Sequence, residues 1–310
     1  MIDIVLATYN GEKHIAEQIN SIQQSVHYVE LISRLIIIDD GSNDSTISIV
    51  QTYANNDKKI EIHANQTGKN GAKHNFCAGL NLSTAEYVMM CDQDDVWHPE
   101  KIQLSLLRIK QLEGVFHNQP ILVFTDKEIV DEQLNLIKGS DYLLSKLSKE
   151  WHKKTEHLLQ RNVVSGCTTM MNQNLLKMAL PFPEQAFMHD WWLALIASYY
   201  GQVSLIDRPL MKYRQHDNNV IGANHRSLTS LLLNAPSNLM MFKNNFNKAM
   251  IQAEYFAEIT KRNYQFTALS QMDALSITKN VLINNMTNSG IVRRCLITLL
   301  LIKPSIKFHK

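Results

Sequence analysis

The chain has 310 residues, 45% of them hydrophobic and 19% charged, with 31 Lys and Arg against 29 Asp and Glu. That is enough apolar material for one large domain plus an appendage, and it excludes disorder, collagen and a disulfide miniprotein. The near-neutral total is uneven: residues 1–224 hold 20 basic against 26 acidic side chains and residues 225–310 hold 11 against 3, an acidic body with a basic tail.

In chain order, Ile2–Ala7, Leu35–Asp39, Ile60–His63, Tyr87–Cys91 and Ile121–Thr125 are short Ile- and Val-rich runs that read as strands buried on both faces. Between the first two, Ile15, Ile19, Ile22 and Val26 in Glu12–Val26 share one helical face. A second helix is expected after Ser42–Asp44, with Ile47, Val50 and Ala54 inward. A third opens at Pro99, with Ile102, Leu106, Ile109 and Leu112 on one stripe. Strand and helix in alternation predict a mostly parallel α/β sheet covered by helices. Beyond residue 126, Val163–Met171 reads as a strand, His189–Tyr200 as a helix ending at Gly201, and Val203–Ile206 and Leu210–Arg214 as two strands with Pro209 near an edge. From about Leu228 the pattern is helical. The charge shift and the change of pattern place a boundary at residue 224, with 1–125 and 126–224 as two halves of one domain and 225–310 as a helical appendage.

Cys77, Cys91, Cys167 and Cys295 show no metal-ligand or disulfide spacing. Met1-Ile2-Asp3 lacks the positive start of a secretory signal, and the longest late apolar run, Cys295–Ile302, is far short of a membrane span. The expectation is a cytoplasmic protein, soluble or peripheral on the inner face of the membrane.

In an open α/β sheet, ligands bind beyond the carboxyl ends of the strands. There the sequence places Thr8 to Glu12, Asp39 to Ser42, Asn65 to Asn75 and Asp92-Gln93-Asp94-Asp95. Three carboxylates in four residues repel one another unless a cation lies among them. Mg²⁺ or Mn²⁺ fits, since it takes oxygen ligands and leaves sites open for phosphates. A solvated acidic turn before the Pro99 helix is the plainer reading. After Asp39-Asp40, Ser42 to Asp44 suit a turn and helix N-cap, a role that does not require two acids at the strand end, where one carboxylate is able to accept a hydrogen bond from a base; Tyr9 offers a ring for stacking.

This ordered set, Ala7-Thr8-Tyr9-Asn10, Asp39-Asp40-Gly41-Ser42-x-Asp44-x-Thr46, Asn65-x-x-Gly68 and Asp92-x-Asp94-Asp95, resembles glycosyltransferase family 2 over residues 1 to about 220. The resemblance implies the GT-A nucleotide-sugar-binding fold and an inverting, metal-dependent transfer from a nucleoside-diphosphate sugar. It assigns Ala7, Tyr9 and Asp40 to the base, Asp92 to the ribose or sugar, and Asp94 to the divalent cation. Thr8, Glu12, Gly68 and Gln93 complete the expected donor site. The family commonly has Arg where this chain has His74, so Lys69 and Lys73 are expected to supply the positive charge.

On the acceptor side, the family's base is an acid at a helix start, commonly the Asp of a Glu-Asp pair. Met188-His189-Asp190 matches with His for Glu, which makes Asp190 the expected base; its place at a helix N-terminus equally suits a cap. Gly166 and Cys167 resemble the acceptor-side strand, and Trp191 and Trp192 offer rings for an acceptor sugar, one of them expected in the core. Tyr213-Arg214-Gln215-His216-x-x-Asn219 resembles a segment of the rhamnosyltransferase-like branch, with His216 as a further metal ligand and Arg214 or Asn219 near the phosphates. The expected donor is dTDP-rhamnose and the acceptor a bacterial surface glycan or lipid-linked oligosaccharide; a UDP-sugar transferase and a noncatalytic nucleotide-binding scaffold are the alternatives. Arg293, Arg294, Lys303, Lys307 and Lys310 flank Ile297–Ile302 without an acid, a pattern for an anionic membrane surface or for a helical appendage packed on protein, including a homodimer partner. No groove-like basic face with interleaved aromatics indicates nucleic acid.

Overall fold

The computed structural model describes residues 1–144, 148, 150–215 and 235–263. The elements, in order, are β1 (Ile2–Thr8), α1 (Ile15–Gln23), α2 (Tyr28–Leu31), β2 (Ile32–Asp39), α3 (Thr46–Asn56), β3 (Ile60–Ala64), α4 (Ala72–Leu82), β4 (Tyr87–Asp92), β5 (Val96–Trp97) and α5 (Lys101–Glu113). They continue with β6 (Ile121–Val130), β7 (Leu136–Lys138), α6 (Asp141–Leu144), α7 (Thr155–Gln160), β8 (Thr169–Asn172), α8 (Gln173–Ala179), α9 (His189–Tyr200), β9 (Gln202–Arg214) and α10 (Ala235–Asn263).

One sheet carries the strands in the order β3-β2-β1-β4-β8-β6-β9-β5, with β7 beside β6. The first four are parallel. β1 has β2 on one side and β4 on the other, so chain order reverses between β1 and β4 and a crevice opens beyond their carboxyl ends. The register keeps those ends level: Thr8 lies opposite Asp39, Ala7 opposite both Ile38 and Asp92, and Asp39 opposite Ala64. β8 runs antiparallel to β4 and β6, and β9 runs parallel to β6. The start of β8 and the far ends of β6 and β9 therefore reach the same edge.

The core explains the sequence pattern. Ile4, Leu6, Leu35, Ile37, Met89 and Cys91 pack with Ile15, Ile19, Ile22, Ile102 and Ile109 from α1 and α5 in one buried cluster. Each such aliphatic side chain contributes about 2 kcal/mol through burial. The acid inside β1, Asp3, is buried because Arg34 donates to it at 2.6 Å and Ser83 at 2.9 Å.

Several elements differ from expectation. Val26 and Ile47 are exposed, the first because α1 ends at Gln23 and the second because Thr46 and Val50 form the inner face of α3. Only the last residues of Val163–Met171 pair as a strand, since Gly166–Thr168 winds into a 3-10 turn. The two strands expected at 203–214 are one, continued past a register shift that takes the partner of Thr125, Ile206, to that of Asp126, Pro209.

The chain divides into two units: Met1–Leu158, Asn162–Glu184 and Met188–Ala223 form the first, and Leu159–Arg161, Gln185–Phe187 and Asn224–Lys310 the second. In the second, Gln252, Ala253, Phe256, Ala257 and Thr260 make a buried stripe on α10, and Gln252 accepts a hydrogen bond from the Phe187 N–H at 2.8 Å. No helix among the described residues is long and apolar enough to cross a membrane. His216, Asn219, Cys295 and the basic segment from Arg293 to Lys310 lie outside the described residues.

Candidate active site

The β1 and β2 loops are sewn together. Asn10 N–H donates to Ser42 Oγ, Gly11 N–H to Thr46 Oγ1 and Ser45 N–H to Glu12 Oε2, at 2.7 to 2.9 Å. Glu12 is thereby committed to the start of α3, a helix-capping role in place of the expected donor contact. Tyr9 remains 53% exposed at the rim of the crevice. Its backbone is gripped by Gln93, whose Oε1 accepts from Tyr9 N–H at 2.9 Å and Thr8 Oγ1 at 2.6 Å and whose Nε2 donates to Tyr9 O at 3.1 Å. Thr8 is buried beneath this contact. Thr8 and Gln93 thus spend these polar groups on each other and on the Tyr9 backbone, which Gln93 holds at the rim.

Asp39 and Asp40 separate cleanly. Asp39 accepts from the N–H groups of Gly41 and Ser42 at 3.0 and 2.9 Å, a turn that caps itself. Asp40 faces the β3 loop, accepting from Asn65 Nδ2 and Gly71 N–H, both at 2.7 Å. Gly68 and Gly71 have φ of 72° and 100°, which side-chain-bearing residues rarely adopt, so this loop requires glycine there. Lys69 forms an ion pair with Glu184, and Lys73 donates to the Glu184 carbonyl at 3.3 Å. Burial, with Lys73 and Lys69 nearby, lowers the pKa of His74.

The acidic loop after β4 is the electrostatic centre. Burial, then the charge of Asp94, pushes Asp92 up to about 7, and Asp190 adds to the effect. Asp95 is fully buried and is pushed up by burial and by both neighbours. Two ammonium groups, those of Lys101 and Lys127, oppose this cluster. Lys101 is buried at the first position of α5, where it donates to the Cys167 carbonyl and lies 3.7 Å from the centroid of the Trp97 ring. Lys127, in β6, donates to Ser165 Oγ at 2.8 Å, lies 3.6 Å from the Asp141 carboxylate and covers the Tyr213 ring at 4.0 Å.

Arg214, one of the two residues expected near the phosphates, reaches the acidic loop. It is buried, pairs with Glu17, and donates through Nε to the Asp94 carbonyl at 2.9 Å, bracing the acidic loop from behind. Asp95 Oδ1 accepts from the Arg214 N–H at 3.3 Å, while Asp95 Oδ2 is buried without a hydrogen-bond partner. Ligand atoms of Asp92, Asp95 and Cys167 lie within 4.8 Å of one another. Three carboxylates against two ammonium groups, with one buried oxygen left over, is a donor set that fits a hard divalent cation. The Cys167 thiol, buried and raised in pKa by burial, is a poor ligand for such an ion.

The acceptor half reaches the same edge. Asp190 stands in the first turn of α9, accepting from Trp191 N–H at 2.6 Å and from Gly166 N–H at 3.2 Å. Trp191 and Trp192 are both in the core, donating through Nε1 to the carbonyls of Leu158 and Ala179 at 2.6 and 3.2 Å. Neither ring is offered to an acceptor, and Gly166 and Cys167 are buried as well. Asp40, Tyr9, Asp92, Asp94 and Asp190 line one sheet edge as expected. Lys101 and Lys127 were missed, although each carries a signal: a lysine opposing the dipole at a helix start, and a lysine inside an apolar strand.

A mostly parallel sheet of this order, with an Asp-x-Asp-Asp loop at its switch point, has the GT-A architecture of glycosyltransferases. Staphylococcus aureus TarS in complex with UDP-GlcNAc superposes with a TM-score of 0.61 at 15% identity, over 97% of this chain and 79% of that one. The mannosyltransferase PcManGT of Pyrobaculum calidifontis, in complex with GDP-Man and Mn²⁺, gives 0.53 at 16%, over 98% and 81%. The sequence matches Glycosyl transferase family 2 over residues 3–174, and the chain belongs to that family. Relatives include an uncharacterized glycosyltransferase of Nostoc sp., 24% identical over 86% of this chain and 80% of its own length. The dTDP-rhamnosyl transferase RfbG of Shigella flexneri is 26% identical, over 71% and 74%.

Proposed function

We propose that this glycosyltransferase moves a sugar from a nucleoside diphosphate to an acceptor hydroxyl in one inverting displacement, with Asp190 as the base. The observation that carries the reading is the placement of Asp190, tethered by the Gly166 N–H and within electrostatic reach of Asp92. As the acceptor oxygen bonds to the anomeric carbon, its proton passes to Asp190. The bond from the anomeric carbon to the diphosphate breaks, and its electron pair leaves with the nucleoside diphosphate. Tyr9 stacks on the base and Asp40 accepts from it. Lys69 and Lys73, released from Glu184, hold the phosphates, and Asp92 contacts the ribose or sugar.

A divalent cation, Mn²⁺ or Mg²⁺, would be held by Asp94 with carboxylate oxygens of Asp92 and Asp95, and supplies Lewis-acid stabilisation of the diphosphate charge. The Mn²⁺ in the PcManGT complex supports a divalent cation in general. The similarity to RfbG supports dTDP-rhamnose as the donor; the acceptor proposed with it is an O-antigen or capsule-type glycan or its lipid-linked precursor, met on the cytoplasmic side of the membrane. Residues 1–224 form the catalytic domain, and 225–310 the part that meets the membrane or a second copy.

The test is a thermal-shift screen of dTDP-, UDP- and GDP-sugars with and without Mn²⁺, followed by turnover of Asp190→Asn and Asp94→Ala with the selected donor. Asp190→Asn is expected to lose about 10²–10⁴-fold in turnover while still binding donor. Asp94→Ala is expected to lose the Mn²⁺-dependent shift as well. Near-normal turnover of Asp190→Asn refutes the base assignment, and a shift with a UDP-sugar alone replaces the donor.

A further inference from the structure

Gly166 does not occupy a backbone conformation reserved for glycine: unlike Gly68 and Gly71, its φ lies outside the left-handed region. Its need for a missing side chain is a matter of space. A Cβ there would stand 2.7 Å from His189 Nε2, 3.4 Å from the Met90 methyl and 3.5 Å from Asp190 Cβ. The first distance is a clash, and the groups it involves are not free to retreat. His189 is buried, with its ring centroid 4.3 Å from that of Phe76, itself buried in α4. Gly166 is held from its other side, since its carbonyl accepts from Thr169 Oγ1 at 2.7 Å and the preceding Ser165 is tied to Lys127.

From this packing we infer that Gly166 and His189 act together as positioning residues for Asp190. The Phe76–His189 stack fixes the start of α9 from one side. The bare Gly166 backbone fits against the imidazole from the other, which brings its N–H to 3.2 Å from Asp190 Oδ2. The carboxylate is thus held by two N–H groups, its own helix's Trp191 and Gly166. The histidine that stands where the family commonly has glutamate is a wedge that sets where the base sits. The absence of a side chain at 166 accommodates that wedge; it is not an opening for an acceptor sugar. The inference rests on Asp190 being the base.

The experiment is a double-mutant cycle on Gly166→Ala, His189→Ser and the double variant, in the full chain. It is read in thermal melts and in release of dTDP from dTDP-rhamnose and of UDP from UDP-glucose, with water as acceptor. Gly166→Ala is expected to lower kcat by about 100-fold, the effect of misplacing a reacting group by about 1 Å, with donor KM within about twofold of the unmodified chain. His189→Ser removes the clashing ring, so the double variant is expected to match His189→Ser alone in both melt and kcat. If Gly166→Ala alone does not fold, recovery of the fold in the double variant, with the turnover of His189→Ser alone, carries the same conclusion. Unchanged kcat in Gly166→Ala, or losses that multiply in a folded double variant, overturn the inference. Asp190→Asn run alongside separates the two failures: if it is inactive while Gly166→Ala is normal, only the positioning role falls; if it is fully active, the base assignment falls and the positioning role with it.

Discussion

Replacing Lys101 by Met tests whether the acidic loop is balanced from within the protein. The side chain is similar in length and apolar, so it leaves the shape of the site nearly intact and removes one positive charge. Two effects oppose each other. Burial pushes the Lys101 pKa down from 10.5 to about 8, so the charged lysine itself costs about 3 kcal/mol relative to water. Removing one member of a buried charge cluster, here the ammonium opposing Asp95, costs about 3–5 kcal/mol. The second effect wins by up to about 2 kcal/mol, a Tm lower by up to about 6 °C in EDTA for a domain of this size. With Mn²⁺ the order of effects changes. Unit charges about 4 Å apart at an effective dielectric of about 20 interact by about 4 kcal/mol, and a divalent ion by more, so the variant should bind the ion about tenfold more tightly or better. Saturating Mn²⁺ should then narrow the Tm gap, leaving the share due to the Cys167 carbonyl, which has lost its donor in either condition. The assay is differential scanning calorimetry in EDTA and across an Mn²⁺ titration. Equal stability in EDTA together with an unchanged Mn²⁺ shift would refute the counter-ion role of Lys101.

Two further outcomes follow from the same geometry. Gln93→Ala removes three hydrogen bonds to Thr8 and Tyr9 without touching a carboxylate; nucleotide affinity measured by calorimetry with dTDP and UDP should fall about tenfold, equivalent to about 1.4 kcal/mol, and unchanged affinity would show that Tyr9 needs no such support. His189 is buried and its pKa lies below the ordinary 6.5, with burial the cause. The unfolded chain therefore takes up the proton first, and stability is lost as pH falls below about 6.5. His189→Phe should remove part of that loss, by at most about 1.4 kcal/mol per pH unit, seen as a flatter Tm profile between pH 7 and 5; an identical profile contradicts a buried neutral imidazole.

The strand ends and the edge they share were legible from residues alone. Apolar runs such as Ile2–Ala7 and Leu35–Asp39 end where polar clusters begin, and in parallel strands those ends must meet. The helix His189–Tyr200 was legible too, because its start, its apolar body and Gly201 are local features. What stayed hidden was which of two adjacent groups faces inward. Asp39 and Asp40 are alike in composition, and only the arrival of Asn65 and Gly71 from the β3 loop distinguishes them. Trp191 and Trp192 likewise needed the carbonyls of Leu158 and Ala179 before their place was decided.

By itself, then, the sequence determined the α/β alternation, the carboxylate-rich edge and the acid at the start of α9, since propensity, periodicity and capping act over a few residues. Tertiary structure alone decided how the charges are balanced. Arg214 meets Glu17 across 197 positions, and Lys101 meets Cys167 across 66. A buried charge must find its partner wherever the fold brings one, and no local pattern records a partner that arrives from so far along the chain.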